Sequence, residues 1–198
     1  DEALNGFGNE ITVAIEKDGS VTVTDKGRGM PVGKHANGMN TLEVIFTVLH
    51  AGGKFSSEGG YKTSGGLHGV GASVVNALSS WLEVTSHYKG TCYKLRFDNG
   101  GKKVGKLQNL GPTKLTGSSI RFMPDKKIFS TIDFHYSTII ERCREAAFLL
   151  KGLKIECFDR RTDKHDVFFY ENGLEAFLEY LHEGHTTLTS PVTFSGIV

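Results

Sequence analysis

The segment whose residue types most readily support chemistry follows a predicted strand and reads Asp25-Lys26-Gly27-Arg28-Gly29-Met30-Pro31. An Asp that ends a strand can direct one carboxylate into a pocket. Two glycines allow the following backbone to pass close to a planar ligand, and Met30 and Pro31 supply apolar walls. The alternative interpretation is a glycine-rich turn in which the Asp side chain bonds to the backbone that follows it.

A second candidate segment is Gly65-Gly66-Leu67-His68-Gly69-Val70-Gly71, which runs into a predicted helix. Free N–H groups and the helix dipole favour anions at a helix N-terminus, and glycines let these groups reach phosphate oxygens without interference from Cβ atoms. The alternative is a closely packed helix start. Four glycines in seven residues lower helix stability without an evident packing benefit, which favours the anion site.

Two familiar phosphate-binding motifs are excluded by their spacing. A P-loop requires GxxxxGK followed by Ser or Thr, whereas Lys54 is followed by Phe55 and Lys34 by His35. The dinucleotide-binding fingerprint is GxGxxG after a strand, whereas the order here is GxxGxG after a long loop. A dinucleotide-dependent oxidoreductase is therefore disfavoured. A third segment, 117–122, is by itself an ordinary strand start.

Composition and charge exclude several other classes. The 198 residues include 23 Lys and Arg against 22 Asp and Glu, and a net charge of +1 gives no whole-domain footprint for nucleic acid. The three cysteines lack CxxC spacing, which indicates reduced thiols rather than a disulfide framework or a zinc site. No apolar run approaches the roughly 18 residues of a membrane helix, and we expect a cytoplasmic protein. Lys102, Lys103 and Lys106 form a basic stretch that is most simply a solvated strand face.

The elements that must position these segments follow from hydrophobic periodicity and turn residues. A hairpin is predicted around Asp18-Gly19, and Asn40 with Glu43 has the spacing of a capping box. The predicted strands are 11–15, 21–24, 81–87, 91–97, 118–122, 154–158 and 166–170. The predicted helices are 41–50, 67–78, 133–150 and 173–182.

The order of these elements predicts an α+β fold, because strands come in hairpin pairs rather than alternating strictly with helices. We expect a two-layer α/β sandwich with a mostly antiparallel mixed sheet, formed by residues 1–185. Residues 186–198 are expected to begin a further domain or a linker. Because the chain starts with Asp1 rather than Met, we expect its N-terminal segment to be missing.

Taken together, the three segments resemble the ATP-binding motifs of the superfamily that joins gyrase, a heat-shock chaperone, histidine kinases and MutL, whose fold is of the Bergerat type. The run 24–33 resembles the adenine-binding DxGxG segment of that superfamily. The runs 47–55 and 61–79 are similar to type IIA bacterial topoisomerase B subunits, and the resemblance covers the whole chain. Phe46-Thr47 and Lys62-Thr63-Ser64 resemble the topoisomerase IV subfamily more than gyrase.

The resemblance implies a role for each matching position on the adenine side. Asp25 would accept the adenine amino N–H, usually with the help of an ordered water. The hydroxyl of Ser118 would bond that same water. Gly29, Met30 and Pro31 would form the purine wall. At the edge of the pocket, where inhibitors of the family stack, Arg28 would pair with Glu2.

On the phosphate side, the resemblance implies that Tyr61 contacts the purine or ribose and that Lys54 contacts the phosphates. A lid around the triphosphate would consist of Gly66, Leu67, His68, Gly69, Val70, Gly71 and Ala72. Tyr88 stands where many members carry an Arg at the pocket mouth, so any inhibitor contact to that Arg is in doubt.

The resemblance also implies ATP and Mg²⁺ as cofactors but no catalytic residue and no metal ligand within this chain. The family's general-base Glu and Mg²⁺-binding Asn would precede Asp1, and the Lys that reaches the γ-phosphate would follow Val198. We therefore expect the chain to bind adenine-site ligands and to hydrolyse ATP negligibly.

The implied activity is ATP-driven DNA strand passage. The implied partners are the A subunit of topoisomerase IV, DNA in the full complex, a second B subunit on ATP binding, and aminocoumarin-like inhibitors, with no membrane. Two alternatives stay open: the B subunit of gyrase, and a nucleotide-sensing module that acts only through dimerisation. Direct DNA contact by this domain is also open.

Overall fold

The computed structural model describes residues 2–50 and 69–185, together with Thr189 and Val192. Within this part of the chain, a 3₁₀ turn at Ala3–Asn5 precedes nine strands and four α-helices. The strands are β1 (Glu10–Ile15), β2 (Val21–Asp25), β3 (Ser79–Tyr88), β4 (Thr91–Asp98), β5 (Lys103–Val104), β6 (Gln108–Pro112), β7 (Gly117–Pro124), β8 (Lys154–Asp159) and β9 (Lys164–Phe169). The helices are α1 (Thr41–Thr47), α2 (Gly71–Ala77), α3 (Tyr136–Leu149) and α4 (Leu174–Leu181).

All nine strands belong to one sheet in the order β5-β4-β3-β7-β2-β1-β8-β9, with β6 also pairing with β4. Strands β5 and β6 therefore share the outer edge of β4. The pairing of β1 with β8 is parallel, and all other pairings are antiparallel. This mixed, mostly antiparallel sheet agrees with the predicted fold class.

The register separates an apolar face from a polar face, because residues opposite each other in neighbouring strands point to the same side. One row across the sheet is apolar and consists of Cys157, Val13, Val23, Ile120, Val84 and Leu95. The next row is polar and consists of Glu156, Thr12, Thr24, Ser119, Thr85 and Lys94. Helices cover the apolar face, which gives the two-layer sandwich that the sequence predicts.

Two clusters fill the space between the layers. Under α1 and α2, the buried side chains are Leu42, Phe46, Leu82, Val84, Leu95 and Phe97. Under α3, the buried side chains are Ala147, Leu153, Ile155, Cys157 and Phe168. Phe148 joins α3 to α4, since its ring stacks on Tyr170 at 3.8 Å and lies 5.2 Å from Phe177.

Helix α1 begins as predicted but ends earlier. The side chain of Asn40 accepts the N–H of Leu42 at 2.9 Å, whereas no bond joins the Glu43 side chain to the Asn40 backbone in the described ranges. The prediction that the helix runs to His50 is wrong. Val48 is already extended, and the carbonyl of Phe46 accepts the side-chain amide of Asn76 at 2.8 Å, a contact from α2 that ends the helix.

Helix α2 starts later than predicted, at Gly71 rather than Leu67. Gly69 has a φ of +62°, which a right-handed helix does not allow, and Val70 is the N-cap residue. The predicted loop at 51–66, with Leu67 and His68, lies outside the described residues. Helix α3 also starts late, at Tyr136 rather than Asp133, because the backbone of His135 is extended.

The strands predicted from alternation are all present, with bounds that differ by up to two residues. Strands β5 and β6 were not predicted. β5 has two residues, and β6 contains Gly111 and Pro112, which are depleted in strands. Both form because the outer edge of β4 offers unpaired backbone groups, which is information about a neighbour rather than about the segment itself.

No helix in the described part of the chain combines the length and apolar character needed to cross a bilayer.

Replacing Asn40 with Ala is expected to lower the free energy of unfolding by about 1 kcal/mol, because the N–H of Leu42 loses its acceptor. Asn40→Asp keeps an acceptor and is expected to stay close to the parent chain. Urea unfolding followed by circular dichroism measures both. An equal loss in the Asp variant would contradict the capping role.

Candidate functional site

The site is built around the end of β2, where Asp25 follows Val21 and Val23 at every second position and so faces the helix layer. One carboxylate oxygen of Asp25 accepts the N–H of Gly27 at 2.8 Å. Burial raises the pKa of Asp25, and the nearby Glu2 carboxylate raises it further, while the backbone N–H groups of Gly27 and Ser118 lower it. The result is a half-buried carboxylate with its orientation set by the backbone.

The loop after β2 is held to the sheet at Met30. Its N–H donates to the hydroxyl of Ser118 at 3.2 Å, and its carbonyl accepts the hydroxyl of Ser86 at 2.7 Å. Both serines are buried and lie on the neighbouring strands β7 and β3. The Met30 side chain packs against the core cluster under α1, so the loop is anchored through both its backbone and its side chain at this residue.

Close backbone approaches at this site require glycine. Gly29 has a φ of +81°, and a Cβ there would lie 2.3 Å from the carbonyl oxygen of His87. Gly117 has a φ of +106°, and its Cβ would lie 2.1 Å from the carbonyl oxygen of Asp25. The loop and the ends of β2, β3 and β7 are therefore packed backbone to backbone.

An ion pair forms the outer rim of the site. The Arg28 guanidinium donates to both carboxylate oxygens of Glu2, at 2.8 Å and 3.1 Å, and the Arg28 backbone N–H donates to the same carboxylate at 2.7 Å. The guanidinium carbon also lies 3.8 Å from the centroid of the Phe7 ring. Both charged side chains remain partly exposed, so the rim offers a flat, charged surface to a ligand.

A cavity of about 250 Å³ borders Asp25 on the side of Glu2 and Gly27, and Leu150 and Leu153 form part of its wall. These two leucines were not predicted as site residues, since they follow α3 and are distant from Asp25 in the sequence. Phe7 and Ser86 were also missed. Ser86 had a readable signal, because it continues the inward positions of Leu82 and Val84 with a hydroxyl.

The predicted site residues are brought together in part. Ser118 contacts Asp25 through its backbone N–H and Met30 through its hydroxyl. Glu2 contacts Arg28, and Pro31 is exposed. On the phosphate side, the residues within the described ranges are Gly69, Val70, Gly71 and Ala72. Lys54, Tyr61, Gly66, Leu67 and His68 lie outside them. The ligand roles of all these residues stay predictions.

Comparison with known proteins identifies the family to which the chain belongs. The sequence profile described as "Histidine kinase-, DNA gyrase B-, and HSP90-like ATPase" matches residues 1–101. The chain belongs to this family of ATPases, and the resemblance inferred from the motifs is confirmed.

Individual relatives indicate a narrower group within this family. The chain is 58% identical over 196 residues to the B subunit of DNA topoisomerase 4 from Bacillus subtilis, covering 99% of this chain and 30% of the relative. It is 60% identical over 199 residues to the corresponding protein from Enterococcus faecalis, covering 99% and 29%. The chain thus spans about three tenths of the length of these relatives.

A solved structure confirms the fold class. The 43K ATPase domain of Thermus thermophilus gyrase B, in complex with an aminocoumarin, matches with a TM-score of 0.82 and 38% sequence identity. The match covers 96% of this chain and 48% of that chain.

Gly29→Ala is expected to destabilise the fold more than Gly19→Ala. Both glycines have a φ above +80°, but a Cβ at Gly19 meets nothing within 4 Å. The left-handed backbone costs about 1–2 kcal/mol in each variant, and overlap with a backbone carbonyl adds to it at Gly29 alone. Urea unfolding compares the two. Equal losses would mean that the loop can move away from β3.

Asp25→Asn is expected to raise the free energy of unfolding at pH 7. The pKa of Asp25 is raised in the folded chain, so its stabilising contribution is present below the unfolded pKa and is lost as pH rises through the folded pKa. The neutral Asn avoids that loss, and the advantage should disappear towards about pH 4.

Asp18→Asn is the matched control with the opposite sign. The pKa of Asp18 is lowered by hydrogen bonds from Ser20 and by Arg121, so its contribution is present at pH 7 and is lost as pH falls through the folded pKa. This variant should be less stable than the parent chain at pH 7. Urea unfolding at both pH values tests the pair, and the same sign in both variants would contradict the assignment.

Proposed function

We propose that this chain is the nucleotide-binding domain from the B subunit of a DNA topoisomerase IV, a cytoplasmic enzyme that couples ATP binding and hydrolysis to DNA strand passage. The observation that carries the proposal is the half-buried Asp25 carboxylate at the end of β2, held by the backbone N–H groups of Gly27 and Ser118, while the hydroxyl of Ser118 also holds Met30. Identities of 58% and 60% to topoisomerase 4 B subunits, against 38% to the gyrase B structure, favour this subfamily over gyrase.

The geometry suits adenine among the purines. Asp25 presents only acceptors while it is ionised, and the adenine amino group at C6 is a donor. Guanine carries a carbonyl oxygen at the same position, which the carboxylate would repel. Met30 and the backbone at Gly29 would contact the ring faces, and the Arg28–Glu2 rim would stack on larger inhibitors such as aminocoumarins.

ATP fits the described half of this site through its base. In the described ranges, no group of three or more His, Cys, Asp or Glu side chains could hold a metal ion, so we assign no residue here to Mg²⁺. We propose that Mg²⁺ accompanies the triphosphate, and that Lys54, Tyr61 and the run from Gly66 to Ala72 contact the nucleotide as the resemblance implies.

The proposed partners follow from the same family relation. They are the A subunit of topoisomerase IV, a DNA duplex, and a second B subunit that binds when ATP is present. The alternative of a module that senses nucleotide without hydrolysing it predicts a nucleotide-dependent increase in size by analytical ultracentrifugation without phosphate release. On the full-length subunit, the proposed function predicts phosphate release and the alternative predicts none, so an ATPase assay beside the sizing experiment separates the two.

Asp25→Asn is expected to weaken binding of a non-hydrolysable ATP analogue at least about tenfold, since a hydrogen bond to a charged group contributes about 1.5–3 kcal/mol. The amide also places a possible donor against the adenine amino group. Isothermal titration calorimetry measures the affinity. Asp18→Asn is the control, because Asp18 lies on the polar face and pairs with Arg121.

Unchanged affinity in the Asp25→Asn variant would contradict the assignment of adenine to this pocket. An equal loss in both variants would mean that the effect of charge is general. Guanine and adenine nucleotides that bind equally well to the parent chain would also contradict the proposal.

A further inference from the structure

The small net charge of the chain hides a strong separation of charge. Residues 88–116 contain seven Lys and Arg residues and one acid, Asp98, whereas the remaining residues contain 16 basic and 21 acidic side chains. The stretch between Asp98 and Asp125 contains no acid at all. The basic excess therefore belongs to the segment that forms β4, β5 and β6.

Ion pairing leaves most of this excess uncompensated. Glu83 pairs with Lys94 at 3.0 Å and with Arg96 at 3.1 Å, and Asp98 pairs with Arg96 at 3.0 Å. These contacts neutralise the two acids of β3 and β4. Five exposed lysines form no ion pair with any described residue, and we refer to them as the lysine edge: Lys89, Lys102, Lys103, Lys106 and Lys114.

The lysine edge follows the free edge of the sheet. Lys102 and Lys103 lie where β5 pairs with Phe97 and Asp98, at the end of β4. Lys106 lies between β5 and β6. Lys89 and Lys114 lie at the other end, where the N–H of Thr113 donates to the carbonyl of Gly90.

The length of this edge fits an extended polyanion. The eight residues of β4 span about 27 Å at 3.4 Å per residue. One strand of B-DNA advances about 3.4 Å along the helix axis for each phosphate, so the edge is as long as about eight base pairs of a duplex. Gln108 and Asn109 on β6 are exposed between the lysines and add uncharged donors of the kind that contact phosphates.

We propose that the lysine edge binds the phosphate backbone of double-stranded DNA without reading its sequence. The inference rests on the proposed function, because that function brings a DNA duplex to the protein. It adds the surface of this domain that the duplex meets. The lysines lie on the sheet edge and the Asp25 pocket lies under the helix layer, so the two sites can be tested separately.

The test compares two triple variants of this 198-residue chain by fluorescence anisotropy with a labelled duplex of about 30 base pairs. The edge variant is Lys102→Gln, Lys103→Gln and Lys106→Gln. The control variant makes the same change in charge away from the β4 edge, beside β1, β8 and β9. Its positions are the exposed residues Lys17, Lys151 and Lys164. Thermal unfolding checks that both variants are folded.

The edge variant is expected to bind at least about tenfold more weakly at low salt, and the control about twofold or less. Each lost phosphate contact lowers the slope of log K against log salt by about 0.9, so the edge variant should lose about two to three units of slope. Equal weakening in both variants, or no binding by the parent chain near about 50 mM salt, would overturn the proposal.

Tighter binding of the parent chain to anionic phospholipid vesicles than to the duplex would also overturn it. Leu110 and Leu115 are exposed beside the lysines and are the side chains that a lipid surface would use. Calorimetry with the ATP analogue on the same variants keeps the two proposals apart. Loss of DNA binding with intact nucleotide binding supports the edge, whereas failure of nucleotide binding in the parent chain refutes the proposed function alone.

Discussion

The two hydrogen bonds that fix the backbone of Met30 are the constraint on which the described part of the site depends. The buried hydroxyl of Ser86 on β3 donates a hydrogen bond to the Met30 carbonyl, and the buried hydroxyl of Ser118 on β7 accepts one from the Met30 N–H. A loop that would otherwise be a free connection is thereby tied to two neighbouring strands. Because Gly29 precedes Met30, the same contact presses the loop backbone against β3 and leaves no room for a Cβ.

This arrangement gives the backbone a large share in the geometry around Asp25. Backbone N–H groups orient the Asp25 carboxylate, and backbone carbonyls line the approaches at Gly29 and Gly117. Side chains enter at the rim, where Arg28 is held by Glu2 and lies over Phe7. Under the proposed function, recognition of the base and shaping of the entrance fall to different parts of the loop.

Local patterns in the sequence were enough to predict the hairpin around Asp18-Gly19, the strands that alternate, and the presence of α3. The features that were missed depend on neighbours distant in the chain. The end of α1 depends on the amide of Asn76 in α2. Strands β5 and β6 depend on the open edge of β4. A site that joins Asp25 to Ser118 was predictable only from the resemblance to a family, since nothing within either motif identifies its partner, and the bond from Met30 to Ser118 was not predicted.

The two faces of the sheet also divide charge and chemistry. The helix face holds the Asp25 carboxylate, whose raised pKa shows that burial opposes its charge. The polar face satisfies its charges in pairs, such as Glu83 with Lys94 and Arg96. A carboxylate kept in an unfavourable place is available to a donor from a ligand, whereas a paired carboxylate is already satisfied. The same reasoning separates Lys94, which is paired, from the lysine edge, which pairs with no acid in the described part of the chain. Whole-chain neutrality is for this reason a poor guide to what the chain can bind.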